Sequence, residues 1–331
     1  MNNKKRILVR VDGSKNIGLG HVYNMITVLE HLKNNEILIV MKERKHLGIT
    51  KLKKFQFKIQ LFSTKIELEK IIEKFQPDLI FNDLLNTNIT YMKFLKKFNS
   101  TIVNFEDLGP GRKYADLVFN PIYYNDNPAK NEFYGHKYAC VRTEFRKSKN
   151  ANIRKNVKKI VVTFGGTDPT NKTQNVIKFI EKFQFKEIQW NIILGLGFSH
   201  RRKIKSSVNR MNKCGYKINI IEKSDNISKF IKNCDFAITS NGRTVFELAA
   251  MKIPMIAIAV NNRERQHSFV RYTKTGFHID SPGELQISKL TPHIKKIMKQ
   301  ENRIKFSNNL KKANVLHGIE HVTKKINAHL K

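Results

Sequence analysis

The feature that most restricts the fold is an alternation that runs twice through the chain. Short apolar runs are separated by segments with helical spacing, and each series opens on an apolar run, a glycine-bearing turn and a helix start. In the first series Ile7-Leu8-Val9 leads into Arg10-Val11-Asp12-Gly13, and then into Ile17-Gly18-Leu19-Gly20-His21. Val22, Met25, Ile26, Leu29 and Leu32 follow at helical intervals, which predicts an amphipathic helix with His21 at or just before its first turn. Residues 37–40, 79–81, 101–105 and 117–119 read as further strands, and the alternation implies a parallel sheet with helices on both faces. In such a sheet ligands bind in the crevice at the carboxyl ends of the strands, and a helix N-terminus there favours anions and a neutral imidazole. The ring of His21 is expected to face that crevice. The alternative is a structural histidine after a glycine turn of the kind common in doubly wound folds. Walker A is excluded, since no Gly-Lys-Ser/Thr follows, and the dinucleotide fingerprint fails for want of a third glycine after Gly18 and Gly20.

Two strand ends in this half carry acids, Asp83 and the pair Glu106-Asp107; each faces the same crevice or caps the next helix. Residues 138–145 close the half, and the charged, asparagine-rich stretch 146–159 interrupts the apolar pattern. The expected domains are therefore residues 1–147 and 148–331, with the last helix packing back towards the first domain. A length of 331 residues suffices for two cores.

The second series begins with Ile160-Val161-Val162-Thr163-Phe164 and turns through Gly165-Gly166-Thr167-Asp168-Pro169. Strands are expected at 192–194, 218–221, 236–239 and 255–259. Between the last two lies Ser240-Asn241-Gly242-Arg243-Thr244-Val245-Phe246-Glu247, a strand, a polar turn and a helix start. Backbone N–H groups of Gly242, Arg243 and Thr244, with the Arg243 charge, suit a diphosphate. Glu247, one turn in, suits ribose hydroxyls. The alternative is an ordinary cap by Ser240 or Asn241 with Glu247 solvated or paired to a lysine.

Sixty-two Lys and Arg against 27 Asp and Glu give a formal charge of +35. Such a charge suits nucleic acid, an anionic membrane surface or an acidic small substrate. The lysines are spread over predicted helix faces alongside abundant Asn and Ile, and no aromatic-interleaved basic motif accompanies them, so no nucleic-acid partner is expected. No apolar run spans a bilayer, and the first is too short for a signal-peptide core, so a cytoplasmic protein without stable membrane insertion is expected. Cys140, Cys214 and Cys234 have no paired spacing and read as reduced. His317-Gly318-Ile319-Glu320-His321 matches an inverted zinc-protease pattern, but Gly318 weakens the helix and no further acidic ligand follows, so no metal site is assigned.

Taken together, Arg10-Val11-Asp12-Gly13 with Gly18-Leu19-Gly20-His21, Phe164-Gly165-Gly166-Thr167-Asp168-Pro169, and Gly242-Arg243-Thr244-Val245-Phe246-Glu247 with Ile253-Pro254 resemble the UDP-sugar hydrolase family of pseudaminic acid biosynthesis. That family removes UDP from UDP-2,4-diacetamido-2,4,6-trideoxy-β-L-altropyranose and is similar to the two-domain nucleotide-sugar glycosyltransferases. The resemblance covers nearly the whole chain. It implies an α/β fold of two facing Rossmann-like domains (GT-B type) with the active site in the interdomain cleft, a histidine base, no metal and no cofactor. By this match His21 is the base and Asp12 its upstream acid. The match also implies that Glu247 and Asn262 hold the nucleotide sugar; Arg10, Gly18, Gly20, Asp83 and the turns 165–167 and 240–244 are further expected contacts to the UDP-sugar. The chain departs from the family in two places: Leu84-Leu85 follow Asp83 where an aromatic hydroxyl is implied, and Ser240-Asn241-Gly242-Arg243 replaces a Gly-Gly-Ser or Gly-Gly-Thr turn. The absence of any Asp-x-Asp pair agrees with metal-free chemistry. The rival is a glycosyltransferase of the same fold that moves a sugar from a UDP-sugar to an acceptor in cell-surface polysaccharide synthesis.

Overall fold

The computed structural model of the chain describes residues 4–13, 18–42, 47–147, 153–222, 224 and 226–330. Residues 14–17 of the opening turn and 148–152 of the expected linker lie outside them. The chain forms two compact units, Met1–Cys140 with His317–Lys331, and Val141–Leu316.

The first unit holds seven strands, β1 (Arg6–Val11), β2 (Glu36–Met41), β3 (Lys58–Leu61), β4 (Leu79–Asp83), β5 (Thr101–Phe105), β6 (Leu117–Asn120) and β7 (Glu132–Tyr134). They run in the order β3-β2-β1-β4-β5-β6-β7, and every pairing is parallel. Side chains alternate across a strand, so β1 feeds two cores. Ile7, Val9 and Val11 meet Val22 and Met25 of the helix Gly20–Glu30 and Ile319, Val322 and Ile326 of the last helix, Gly318–His329. Leu8 points the other way, among Leu68, Ile71, Ile72 and Met92. Helices on both faces leave the whole of β4 buried, as parallel sheets require.

The last helix belongs to this unit through an unusually close approach. A Cβ on Gly318 would stand 2.0 Å from the Ala139 carbonyl oxygen, so only glycine lets the helix begin there. His321 Nδ1 then bonds the Lys137 carbonyl at 2.8 Å, and its ring meets Tyr138 edge-on.

The second unit holds β8 (Lys159–Thr163), β9 (Gln189–Ile193), β10 (Lys217–Ile221), β11 (Phe236–Ser240), β12 (Met255–Ile258) and β13 (Gly276–Ile279). Their order is β10-β9-β8-β11-β12-β13, again all parallel. Ile160, Trp190, Ile192 and Ile238 form the centre of its core with Val176, Phe179 and Ile204. Buried Arg303 ties the start of this unit to its end, donating to the carbonyls of Arg154 at 2.8 Å and Lys155 at 3.0 Å as well as to Ile297.

This division differs from a boundary at residue 147 in two places. Residues 141–147 join the second unit because Arg142 and Glu144 are bonded within it, and residues 317–331 join the first. In each sheet the strand order reverses beside the opening strand, between β1 and β4 and between β8 and β11. The crevice for a ligand lies at such a reversal. No helix is long and apolar enough to cross a membrane among the described residues.

Candidate functional site

In the first unit the reversal brings together two residues 62 positions apart. β1 pairs with β4 in a register that sets Val11 against Asp83 and Arg10 against Asn82. The chain leaves β1, passes Gly18 in the left-handed region at φ +83°, and enters the helix Gly20–Glu30, whose second residue is His21. Nδ1 of His21 bonds Oδ1 of Asp83. His21 is 6% exposed and Asp83 wholly buried. An ionised carboxylate only accepts hydrogen bonds, so Nδ1 carries the proton and Nε2 is the basic nitrogen. Asn24, one turn further along the helix, donates Nδ2 to the other Asp83 oxygen at 2.7 Å.

Asp12, expected as the acid upstream of His21, is bonded at the ends of the adjacent strands β1 and β2. Its Oδ2 accepts from Arg10 Nη2 at 2.6 Å and its Oδ1 from the Lys42 N–H at 3.0 Å. The carboxylate on the His21 ring is that of Asp83. The Arg10 guanidinium also lies 4.9 Å over the Phe62 ring. Near this pair stands Tyr91, which the sequence did not single out; its hydroxyl donates to Asn82 Oδ1 at 2.8 Å. Burial pushes the phenol far up, against the nearby Arg10 charge and with that of Asp12. Tyr91 thus brings an aromatic hydroxyl to the end of β4, where Leu84 and Leu85 supply none. Asn82 continues to Asn104 at 2.9 Å, and Asn104 to Asp107 at 2.7 Å. Asp107 also accepts from the Thr87 N–H and the Gly109 N–H, so it fixes the loops after β4 and β5.

In the second unit the turns 165–167 and 240–244 stand together at the ends of adjacent strands. A Cβ on Gly165 would lie 3.7 Å from Ser240 Oγ, and Thr163 is paired with Thr239. Gly195 completes the contact: a Cβ there would be 2.2 Å from the Gly165 carbonyl oxygen. Asp168 holds the first turn, accepting from the Lys172 and Thr173 N–H groups and from Thr173 Oγ1. Burial raises its carboxyl against those bonds and the Lys172 charge.

The second turn is built on a residue that sequence reasoning missed. Glu264 Oε2 accepts from the N–H groups of Asn241 at 3.0 Å and Val260 at 3.1 Å. Asn241, expected to contact ligand, is wholly buried. Its Nδ2 donates to the carbonyls of Glu264 and His267, while its Oδ1 is buried without a hydrogen-bond partner among the described residues. Neither Ser240 nor Asn241 caps the following helix, Thr244–Ala250, whose N-cap is Arg243 without a side-chain bond. The N–H groups of Val245 and Phe246 close back on the Gly242 and Arg243 carbonyls. Gly242, Arg243 and Thr244 are the partly exposed residues at its tip. Asn262 is exposed at the first position of the helix Asn262–Gln266.

Glu247 is neither solvated nor capped by a lysine. Its Oε1 accepts from both Nε and Nη2 of Arg142, each at 2.8 Å, and Arg142 Nη1 donates to Glu144 Oε1 at 2.6 Å. Glu144 Oε2 accepts from the Ser228 N–H at 3.1 Å. Burial raises the Glu247 carboxyl above its ordinary range; the Arg142 charge and hydrogen bond oppose this first, Glu144 adds to it, and Arg243 opposes it. The His317–His321 pattern is absorbed by packing, with His321 bonded to backbone. Among the described residues no group of three or more His, Cys, Asp or Glu is placed to hold a metal ion.

No protein-family model matches the chain. The chain is 29% identical over 278 residues to the uncharacterized protein MJ1062 of Methanocaldococcus jannaschii, covering 79% of this chain and 57% of that protein, so it matches little more than half of that relative. It is 23% identical over 260 residues to the spore coat polysaccharide biosynthesis protein SpsG of Bacillus subtilis, covering 75% of each. Among solved structures it is similar to a glycosyltransferase from Rickettsia africae, with TM-score 0.65 and 14% identity over 99% of both chains. Anabaena HepE in complex with UDP and glucose superposes with TM-score 0.59 and 13% identity over 98% of this chain and 100% of that one. A putative UDP-N-acetylglucosamine 2-epimerase from Listeria monocytogenes gives 0.63 and 14% over 99% and 97%. The fold is that of the GT-B glycosyltransferases, two Rossmann-like α/β domains with parallel sheets of seven and six strands.

Proposed function

We propose that the chain hydrolyses a UDP-linked diacetamido-trideoxy sugar to UDP and free sugar, in the synthesis of a nonulosonic acid of the pseudaminic type. The observation that carries the reading is the His21–Asp83 pair at the strand-order reversal of the first sheet. The second sheet offers glycine-bearing turns and Glu247 at its own reversal. The fold shared with UDP-bound HepE and the sequence likeness to SpsG support a nucleotide-sugar substrate.

In this mechanism Nε2 of His21 takes a proton from water as the water oxygen attacks the anomeric carbon. The bond from that carbon to the diphosphate oxygen breaks and UDP leaves. Asp83 holds the ring in the Nδ1–H tautomer and stabilises the imidazolium that forms, and such a base contributes ~10²–10⁴-fold. Negative charge grows on the leaving diphosphate, where the N–H groups of residues 242–244 and the Arg243 charge meet it. Glu247 accepts from the ribose hydroxyls, and Asn262 contacts the nucleotide sugar.

A glycosyltransferase is the second reading, favoured by the sequence likeness to SpsG and the fold shared with the Rickettsia africae glycosyltransferase. Proton NMR of the protein with the UDP-diacetamido sugar separates the two. Free reducing sugar and UDP, formed in equal amounts without acceptor, are expected; UDP release that depends on an added acceptor would overturn hydrolysis in favour of transfer.

A further inference from the structure

We infer that Asn24 is a positioning residue for the base: its amide holds the Asp83 carboxylate in the orientation and charge state that keep Nε2 of His21 able to take a proton. The inference rests on the reading of His21 as the base. Three observations carry it. Asn24 follows His21 by three positions in the helix Gly20–Glu30, which puts both side chains on one face. Each reaches a different oxygen of the same carboxylate, His21 Nδ1 to Oδ1 and Asn24 Nδ2 to Oδ2 at 2.7 Å. All three groups are buried, Asn24 being 3% exposed and Asp83 0%.

An asparagine is a poor choice for a buried helix interior. It has lower helix propensity than the leucine or methionine that the surrounding core of Val22, Met25 and Val28 would accept, and its amide is costly to bury unless bonded. What the amide does is donate to an anion. A buried carboxylate that loses one of its donors is drawn towards taking up a proton or rotating. A protonated Asp83 would give its own hydrogen to Nδ1, forcing the proton of the neutral ring onto Nε2 and removing the base. Asn24 therefore acts on the reaction through Asp83 and the tautomer of His21, without touching substrate.

The test uses the whole chain with Asn24→Leu, which keeps volume but loses the donor, and Asn24→Asp. Nitrogen-15 NMR of the histidine ring reads the tautomer with no substrate present. The wild type is expected as Nδ1–H, and Asn24→Leu to lose part of that population. Its kcat is expected to fall ~10–100-fold, the range for outer partners of a functional histidine, with KM and UDP affinity within about twofold. Asn24→Asp sets two carboxylates side by side, which cannot both ionise, so one shared proton restores the missing donor. Its kcat relative to wild type should therefore rise as the pH is lowered. Wild-type tautomer and kcat in a folded Asn24→Leu chain, or an Asn24→Asp variant whose relative kcat does not rise on acidification, would overturn the inference. Failure of the substrate reading is distinguishable, because the wild type would then turn over no UDP-sugar while the tautomer measurement still stood.

Discussion

Replacing Arg142 by methionine should weaken UDP binding at neutral pH and make it sensitive to acid. Arg142 places two N–H groups on Glu247 Oε1 at 2.8 Å and a third on Glu144 at 2.6 Å. The three side chains are 17%, 14% and 15% exposed, so methionine fills the space but leaves two carboxylates facing each other with little water. Burial already raises the Glu247 carboxyl, and the Arg142 charge is the first influence holding it down. Without it the group moves further up and more of it is neutral at pH 7. A neutral carboxyl is a poor acceptor for ribose hydroxyls; losing hydrogen bonds to a charged group weakens binding by ~1.5–3 kcal/mol, or about 10–150-fold in Kd. The sign for stability is fixed by the same shift. A carboxyl whose folded pKa lies above the unfolded one contributes stability below the unfolded pKa that is lost as pH rises through the folded pKa. The variant should thus be destabilised more at pH 7 than at pH 5, by ~2–3 kcal/mol at pH 7, below the ~3–5 kcal/mol for breaking a fully buried pair because some water reaches the site. Calorimetric titration of UDP from pH 5 to 8, with thermal unfolding alongside, reads both effects. Wild-type UDP affinity at pH 7 with a flat pH profile would refute the role given to Glu247.

Three further outcomes are expected. His21→Asn should bind UDP as the wild type does while turnover falls ~10²–10⁴-fold in a steady-state assay; near wild-type turnover would move the base to Asp12 or Asp83. Activity should survive excess EDTA, since the groups proposed to meet the diphosphate are the protein's own, and loss restored by a divalent ion would contradict that. Gly318→Ala should lower thermal stability by about 1–3 kcal/mol, the usual cost of overpacking, because its Cβ would stand 2.0 Å from a backbone oxygen; an unchanged melting temperature would show that the last helix shifts freely.

The strands that sequence reading missed share one property. β3, β7 and β13 are all sheet edges, flanked on one side only, and none presents a continuous apolar run; β3 reads Lys58-Ile59-Gln60-Leu61 and is largely exposed. Interior strands such as β4, buried along their length, were legible because both faces demand apolar side chains. His21 and Asp83 were each legible from their place after a strand, but their pairing was not. It depends on β4 lying beside β1, which no local pattern encodes. Asn24 did carry a signal, a polar residue three positions from His21 in an apolar helix pattern. Arg142 carried none, since its partner Glu247 lies 105 positions away. Asn241 carried only part of its signal: its Nδ2 is bonded to two backbone carbonyls, a scaffold role that no local pattern encodes.

The first unit is made from two separate lengths of chain, with residues 141–316 inserted between them. During synthesis the inserted unit emerges whole and can fold while the other is still incomplete, domains generally forming as units from the amino end. The sheet bearing His21 must wait for Ile319, Val322 and Ile326 to cover its face. A translation product stopped before residue 317 would therefore carry a finished second unit and a first unit whose apolar sheet face stays uncovered. Folding of the first unit is thereby coupled to synthesis of the helix Gly318–His329.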